Sequence, residues 1–182
     1  MGESIRVVHN FDICLAKSHK AENLPLWREI YQKAFPTMRA MVNHRQDGWH
    51  QRAGIDRSII LACGKQIMID EKVRYGNYND ILLEYVSNDR TKAKGWVCKP
   101  LAADYIAYAI LPLGKCYLLP VIPLQNAWRK YGEKWKKEYF NPVARNEGYK
   151  TYSVAVPVGI LFKAVSECLT IDFTPKPGRQ GP

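Results

Sequence analysis

Three side chains in this sequence have the types and spacing for metal-assisted hydrolysis: Asp56, Asp70 and Lys72. Asp70 and Lys72 flank Glu71 in the run from Gln66 to Val73, and Asp56 lies fourteen residues before Asp70. As a string, acid-x-Lys is no commoner here than chance allows, so placement carries the signal. Two carboxylates brought together can share a hard divalent cation such as Mg²⁺. That ion prefers oxygen ligands and completes its shell with water and substrate phosphate. It acidifies water and neutralises charge on a phosphate under attack, and a lysine beside it can orient the water. The competing reading is a solvated, ion-paired hairpin in which Lys72 answers Asp70 and Asp56.

A hairpin must position these groups. Residues 55–62 read as a strand, Cys63-Gly64-Lys65 as a tight turn, and residues 66–74 as the returning strand. Alternation along that strand sends Asp70 and Lys72 to one face with Gln66 and Met68, and Glu71 to the other with Ile67, Ile69 and Val73. A turn at Gly64 sets Asp56 across from the Glu71–Val73 region. Upstream, a helix is predicted over residues 24–34, with Leu26, Ile30, Ala34 and Met38 at i+4 spacing, Pro25 in its first turn and Pro36 at its end. A polar loop from Asn43 to Arg52 leads into Asp56. Downstream come a strand over 80–86, a helix over 100–111, a short buried strand over 116–121, an amphipathic helix over 123–139, a strand over 151–156 and a last helix over 158–168. The order is α-β-β-β-α-β followed by further α and β elements. Residues 1–173 read as a single domain and 174–182 as a disordered tail.

Gly54-x-Asp56 followed by Asp70-x-Lys72, inside an α-β-β-β-α-β order, resembles the PD-(D/E)XK nuclease superfamily, in particular its RecB-like and phage-exonuclease branch. The resemblance covers roughly residues 24–121. It implies an α/β fold with a restriction-endonuclease-like αβββαβ core, a central mixed sheet flanked by helices. It further implies that Asp56 and Asp70 hold Mg²⁺ or Mn²⁺, and that Lys72 assists the attacking water in a DNA hydrolase leaving 5′-phosphate and 3′-hydroxyl ends. An acid on the first helix is common in that branch, and Glu29 is the matching residue. Asp104-x-x-x-Tyr108 stands where the branch carries Gln-x-x-x-Tyr, so the tyrosine matches and the glutamine does not. Ile55 replaces the proline of the motif. A small nuclease without a helicase domain looks like phage or prophage material, and such nucleases are often dimers or rings.

Other residues border the hairpin in sequence. Glu84, on one strand face with Leu82 and Val86, is either buried against a partner or part of the site. His50 and Gln51 precede Asp56, and a histidine there could assist proton transfer. Arg74, Lys92, Lys94 and Lys99 flank the hairpin and are candidates for a nucleic-acid backbone. Trp128, Tyr131, Trp135 and Tyr139 form a core-facing stripe on the 123–139 helix, whose other faces carry lysines and Arg129.

The net charge of +10 over 182 residues favours polyanionic partners, with DNA expected and RNA left open. Five cysteines without a C-x-x-C pair read as reduced thiols in a cytoplasmic protein. The first residues lack a signal peptide's apolar region. The stretch 105–123 contains Pro112, Gly114 and Lys115, which argues against a membrane span. No phosphate-binding Gly-rich loop is present, so no nucleotide cofactor is expected. The alternatives to a nuclease are a catalytically silent nucleic-acid-binding module that keeps the fold, and an interaction or inhibitor protein of a mobile element.

Overall fold

A computed structural model of the protein describes residues 26–44 and 46–169. The expected helix start at Leu24 and Pro25, the tail 174–182, and Cys14, His9 and His19 lie outside the described residues.

The chain is a mixed α/β protein with two sheets. Helix α1 (Leu26–Ala34) buries Trp27 and Tyr31, four residues apart and stacked at 5.8 Å, while Leu26 and Ile30 pack beside them. Pro36 ends the helix, and the chain turns into strand β1 (Met38–Asn43), an element not expected from the sequence between the helix ending at Ala34 and the loop starting at Asn43. A short helix, α2 (Gly48–Ala53), occupies the expected polar loop. Asp47 caps it by accepting from the N–H groups of Trp49 at 2.9 Å and His50 at 3.4 Å, and Gly54, at φ 72°, closes it. The hairpin follows as β2 (Arg57–Leu61) and β3 (Gln66–Arg74), joined through Gly64 at φ 83°.

Next come β4 (Asp80–Asn88) and β5 (Ala93–Lys94), then β6 (Tyr105–Ile110) and β7 (Lys115–Pro120). Helix α3 (Val121–Glu138), strands β8 (Val143–Asn146) and β9 (Tyr149–Pro157), and helix α4 (Val158–Leu169) complete the described residues. The five-stranded sheet has the order β1-β2-β3-β6-β7, antiparallel except where β6 runs parallel to β3. The four-stranded sheet has the order β5-β4-β9-β8 and is antiparallel throughout.

The helix expected over 100–111 is a strand, so the α-β-β-β-α-β order is corrected to α-β-α-β-β-β-β-β-β-α-β-β-α. The physical reason is that β6 is buried on both faces. Ile106, Tyr108 and Ile110 enter one core, and Ala107 and Ala109 enter the other. A strand covered on both sides reads as an unbroken apolar run, which periodicity does not separate from a helix. The crossover between parallel β3 and β6 therefore passes through β4 and β5 of the second sheet rather than through a helix.

The two cores explain the layers. One lies between α1 and one face of the five-stranded sheet, formed by Trp27, Tyr31, Ile59, Ile67 and Ile69 with Ala107 and Ala109. The larger lies on the opposite face, where β6 and β7 meet β4, β9, α3 and α4. The α3 aromatics pack there: Trp135 is buried, and Trp128 and Tyr131 stand against it at ring distances of 6.3 and 5.8 Å.

Gly95 lets the segment after β5 fold onto β4. A Cβ at this position would lie 2.2 Å from the Glu84 carbonyl oxygen, a backbone atom that cannot move aside. Gly95 N–H donates to the Tyr85 carbonyl at 3.1 Å and Val97 N–H to that of Glu84 at 3.2 Å. Gly95→Ala is expected to destabilise the protein by ~1–3 kcal/mol through overpacking. Gly64→Ala meets open space and should cost only about 1 kcal/mol through its positive φ. Urea unfolding of both variants checks this; an unchanged midpoint for Gly95→Ala would show that the approach to β4 is dispensable.

Candidate active site

The hairpin register brings the two acids together. Arg57 pairs with Ile69 and Ser58 with Met68, so one further step sets Asp56 opposite Asp70. This is one residue earlier than the Glu71–Val73 region expected from the turn. Asp56 is held by the β3 backbone: its N–H donates to the Ile69 carbonyl at 2.9 Å, and its Oδ2 accepts from Glu71 N–H at 2.7 Å. Asp70 is 4% exposed, and Lys72 Nζ donates to its Oδ1 at 2.5 Å.

Burial raises the Asp70 carboxyl to about 6; the nearby Asp56 carboxyl, within hydrogen-bonding reach, adds to the rise, and Lys72 opposes it. Burial works to lower the Lys72 ammonium, but Asp70, Asp56 and Glu84 outweigh it and hold it above its ordinary value.

Glu84 reaches this cluster from the second sheet. Tyr108 is the β6 register partner of Lys72, and its hydroxyl accepts from Leu82 N–H on β4 at 3.1 Å. That bond ties β4 to the site face of β6 two residues before Glu84. Burial raises the Glu84 carboxyl, while Lys72, the Ser87 hydroxyl, Lys99 and the Trp96 N–H oppose the rise. Lys99 arrives through the fold at Gly95, and its carbonyl accepts from Gln125 Nε2 at 2.8 Å. The candidate site is thus a cluster of three acids and two lysines: Asp56, Asp70, Lys72, Glu84 and Lys99.

The opposite face of the hairpin carries a second charge pair. Arg57 Nε donates to Glu71 Oε1 at 2.5 Å, and both side chains are nearly inaccessible. The Tyr31 hydroxyl donates to the same oxygen at 2.8 Å. Burial pushes the Tyr31 phenol well above its usual range, with the Glu71 charge adding to it, and raises the Cys116 thiol nearby to about 12. Glu71 therefore faces away from Asp70 and Lys72, as alternation requires.

A third cluster borders the acids. His44 Nε2 lies 2.5 Å from Ser58 Oγ, and its ring stacks on His50 at 3.8 Å. His50 Nδ1 lies 2.9 Å from Asp47 Oδ2. Burial and the neighbouring His50 lower the His44 imidazole, partly offset by Asp47.

The other sequence candidates fall in different places. Glu29 is a correction: it is exposed on α1 and pairs with Lys33 at 2.6 Å. Because α1 covers the Glu71 face of the sheet, Glu29 stands apart from Asp56 and Asp70. Tyr108 lies on a strand, buried, with its hydroxyl committed to Leu82. Asp104, in the place of the expected glutamine, secures β3: its Oδ2 accepts from Met68 N–H and its N–H donates to the Met68 carbonyl, both at 2.8 Å. Gln51 is exposed on α2. Arg74 pairs with Asp80 at 2.9 Å and lies over the Tyr78 ring at 4.4 Å. Lys92 and Lys94 are exposed at the β4–β5 corner, Lys92 with φ 57°. His44, Ser58 and the Arg57–Glu71 pair were missed by sequence reasoning. The last had a signal, since Arg57 and Glu71 repeat the fourteen-residue spacing of Asp56 and Asp70.

Among the described residues no group of three or more His, Cys, Asp or Glu side chains could hold a metal ion. A closed cage of the zinc type is therefore not formed by them. Two adjacent carboxylates do match the chemistry of Mg²⁺ or Mn²⁺, which one or two protein carboxylates hold while water and phosphate supply the remaining oxygens. The raised Asp70 carboxyl fits the same donor set, because a cation would offset both the burial that drives the rise and the repulsion from Asp56 that adds to it.

A carboxyl raised on folding contributes stability that is complete below its unfolded value of about 4 and is lost as pH rises through about 6. In chelator, the folded protein should lose stability over that window, and Asp56→Asn should lower the Asp70 midpoint and flatten the slope. Carboxyl ¹³C titration by NMR, paired with urea midpoints, reads both; an Asp70 midpoint at the ordinary carboxylate value would contradict the burial of Asp70 beside Asp56. Compared with known proteins, the chain matches no family model, no curated protein and no solved structure.

Proposed function

We propose that the protein is a divalent-metal-dependent nuclease that hydrolyses phosphodiester bonds in DNA. The observation that carries this reading is the pairing of Asp56 with Asp70 across the β2–β3 register, with Lys72 bonded to Asp70. The order α1-β1-α2-β2-β3, followed by β6 parallel to β3, supports a restriction-endonuclease-like core with a short helix inserted after β1 and a crossover replaced by strands of a second sheet. The net charge of +10 supports a polyanionic substrate.

Asp56 and Asp70 would hold Mg²⁺ or Mn²⁺, which when bound supplies Lewis acidity and charge neutralisation at a phosphate. Asp56 is kept in position by the β3 backbone, so it presents its carboxylate without reorganisation. Lys72 remains an ammonium under the influence of three acids, and its Nζ can orient the attacking water and counter charge on the non-bridging oxygens. Glu84 and Lys99 set the field around Lys72. In the reaction a water oxygen bonds to phosphorus, the bond to the 3′ oxygen breaks, and the 3′ oxygen takes up a proton. The products are 5′-phosphate and 3′-hydroxyl ends.

That no group of three or more His, Cys, Asp or Glu side chains among the described residues could hold a metal ion favours a second reading as a catalytically silent nucleic-acid-binding module. Incubation with linear, nicked and branched DNA in Mg²⁺, Mn²⁺ or EDTA separates the two. Asp70→Asn and Lys72→Ala should each lower cleavage at least about 100-fold while binding in EDTA persists. Cleavage by the variants at the wild-type rate rules out these residues as the catalytic groups. Salt-sensitive binding with no cleavage by wild type identifies the silent module.

A further inference from the structure

We propose that Trp49 is a stacking platform for an unpaired nucleobase beside the acid pair, so that the protein binds single-stranded nucleic acid in preference to a fully paired duplex. The location rests on the reading of Asp56 and Asp70 as a phosphodiester site; the binding preference does not depend on cleavage.

Trp49 is 62% exposed, whereas Trp27, Trp96 and Trp135 are buried and Trp128 packs against the larger core. Single exposed apolar side chains are common, so the case depends on how this one is held. Its helix is strapped to Asp56 from both sides. His44 N–H donates to the Asp56 carbonyl at 2.9 Å, and Ile55 N–H donates to the His50 carbonyl at 2.9 Å. The side chains repeat the tie. Trp49 meets the His50 ring at 4.9 Å and 85°, His50 stacks on His44 at 3.8 Å, and His44 reaches Ser58 on the Asp56 face of β2. Asp47 fixes the far end of this chain through the α2 cap and His50 Nδ1. An exposed indole on so constrained a support loses little freedom when it binds.

The chemistry selects the ligand. A protein interface needs roughly 800 Å² from each partner, far more than one indole offers. A nucleobase is matched to a single aromatic face, and base–aromatic stacking tolerates any sequence. Bases inside a duplex have both faces covered by their neighbours, so only an unpaired base presents one. Arg52 is exposed three residues after Trp49, on the same side of α2, and can take the phosphate of the stacked nucleotide.

The test uses the full chain in EDTA, with fluorescence anisotropy of a labelled oligothymidylate and of a fully paired duplex of equal length whose two ends are closed by base-free linkers. Trp49→Ala should weaken single-strand binding about tenfold and leave duplex binding unchanged, while Trp49→Phe restores most of the loss. An oligonucleotide of abasic sites should bind wild type as weakly as oligothymidylate binds Trp49→Ala. Circular dichroism of each variant verifies the fold. Equal losses on both probes, no loss on either, or failure of wild type to bind the single strand would each overturn the proposal. A selective loss in a protein that cleaves nothing in Mg²⁺ would instead retain the platform and discard the catalytic reading.

Discussion

The buried contact between Arg57 and Glu71 is the constraint on which the arrangement of charges depends. A one-residue slip of a hairpin sends every side chain to the opposite face. Here a slip would strand a guanidinium and a carboxylate without their partners in an apolar layer, and an uncompensated buried charge costs several kcal/mol. Tyr31 strengthens the arrangement by reaching Glu71 from α1, which couples the helix to the same register. A buried ion pair is weak support for stability as such; its value here lies in fixing alignment. Glu71 is the diagonal neighbour of Arg57, whose direct partner across the hairpin is Ile69, and that same register sets Asp56 opposite Asp70 on the other face.

The charges on the site face come from both sheets. Asp56, Asp70 and Lys72 belong to a local hairpin, whereas Glu84 and Lys99 enter from the four-stranded sheet and the segment folded over it at Gly95. Lys72 thus answers acids on two structural layers. Such a lysine stays protonated in spite of burial, because each acid favours its charged form. Burial, with the neighbouring Asp56 adding to it, in turn makes Asp70 reluctant to ionise. A buried carboxyl held beside a second acid is an arrangement that a cation would relieve.

Much of the hairpin was legible in the sequence. The β3 bounds, the Gly64 turn and the facing of Asp70 with Lys72 follow from period-two alternation and turn chemistry, which are local. Helices α3 and α4 were legible for the same reason, since their apolar stripes have helical spacing. β6 was not, because burial on both faces erases the alternation that marks a strand. β1 was not, because Met38 continues the spacing of the preceding helix although Pro36 interrupts it. In the site, Asp56 meeting Asp70 was readable from the spacing across the turn to within one residue. Glu29 was misplaced because a sequence does not say which sheet face a helix covers. The approach of Glu84 and Lys99 to Lys72 depends on Tyr108 holding β4 and on a glycine admitting a backbone crossing, neither of which leaves a local pattern.

The crossover through a second sheet also imposes an order of assembly. β4 is secured chiefly by β9, whose residues Pro157, Ala155 and Ser153 pair with Asp80, Leu82 and Glu84 from about seventy positions further along the chain. During synthesis the hairpin with Asp56, Asp70 and Lys72 can close as soon as it emerges, being a local structure, but the strand that carries Glu84 must wait for a partner near the end of the described chain. Long-range pairing of this kind is slow relative to hairpin closure. A nascent chain therefore holds its acids and its lysine before it holds the field that surrounds them, and the complete charge pattern belongs only to the finished molecule.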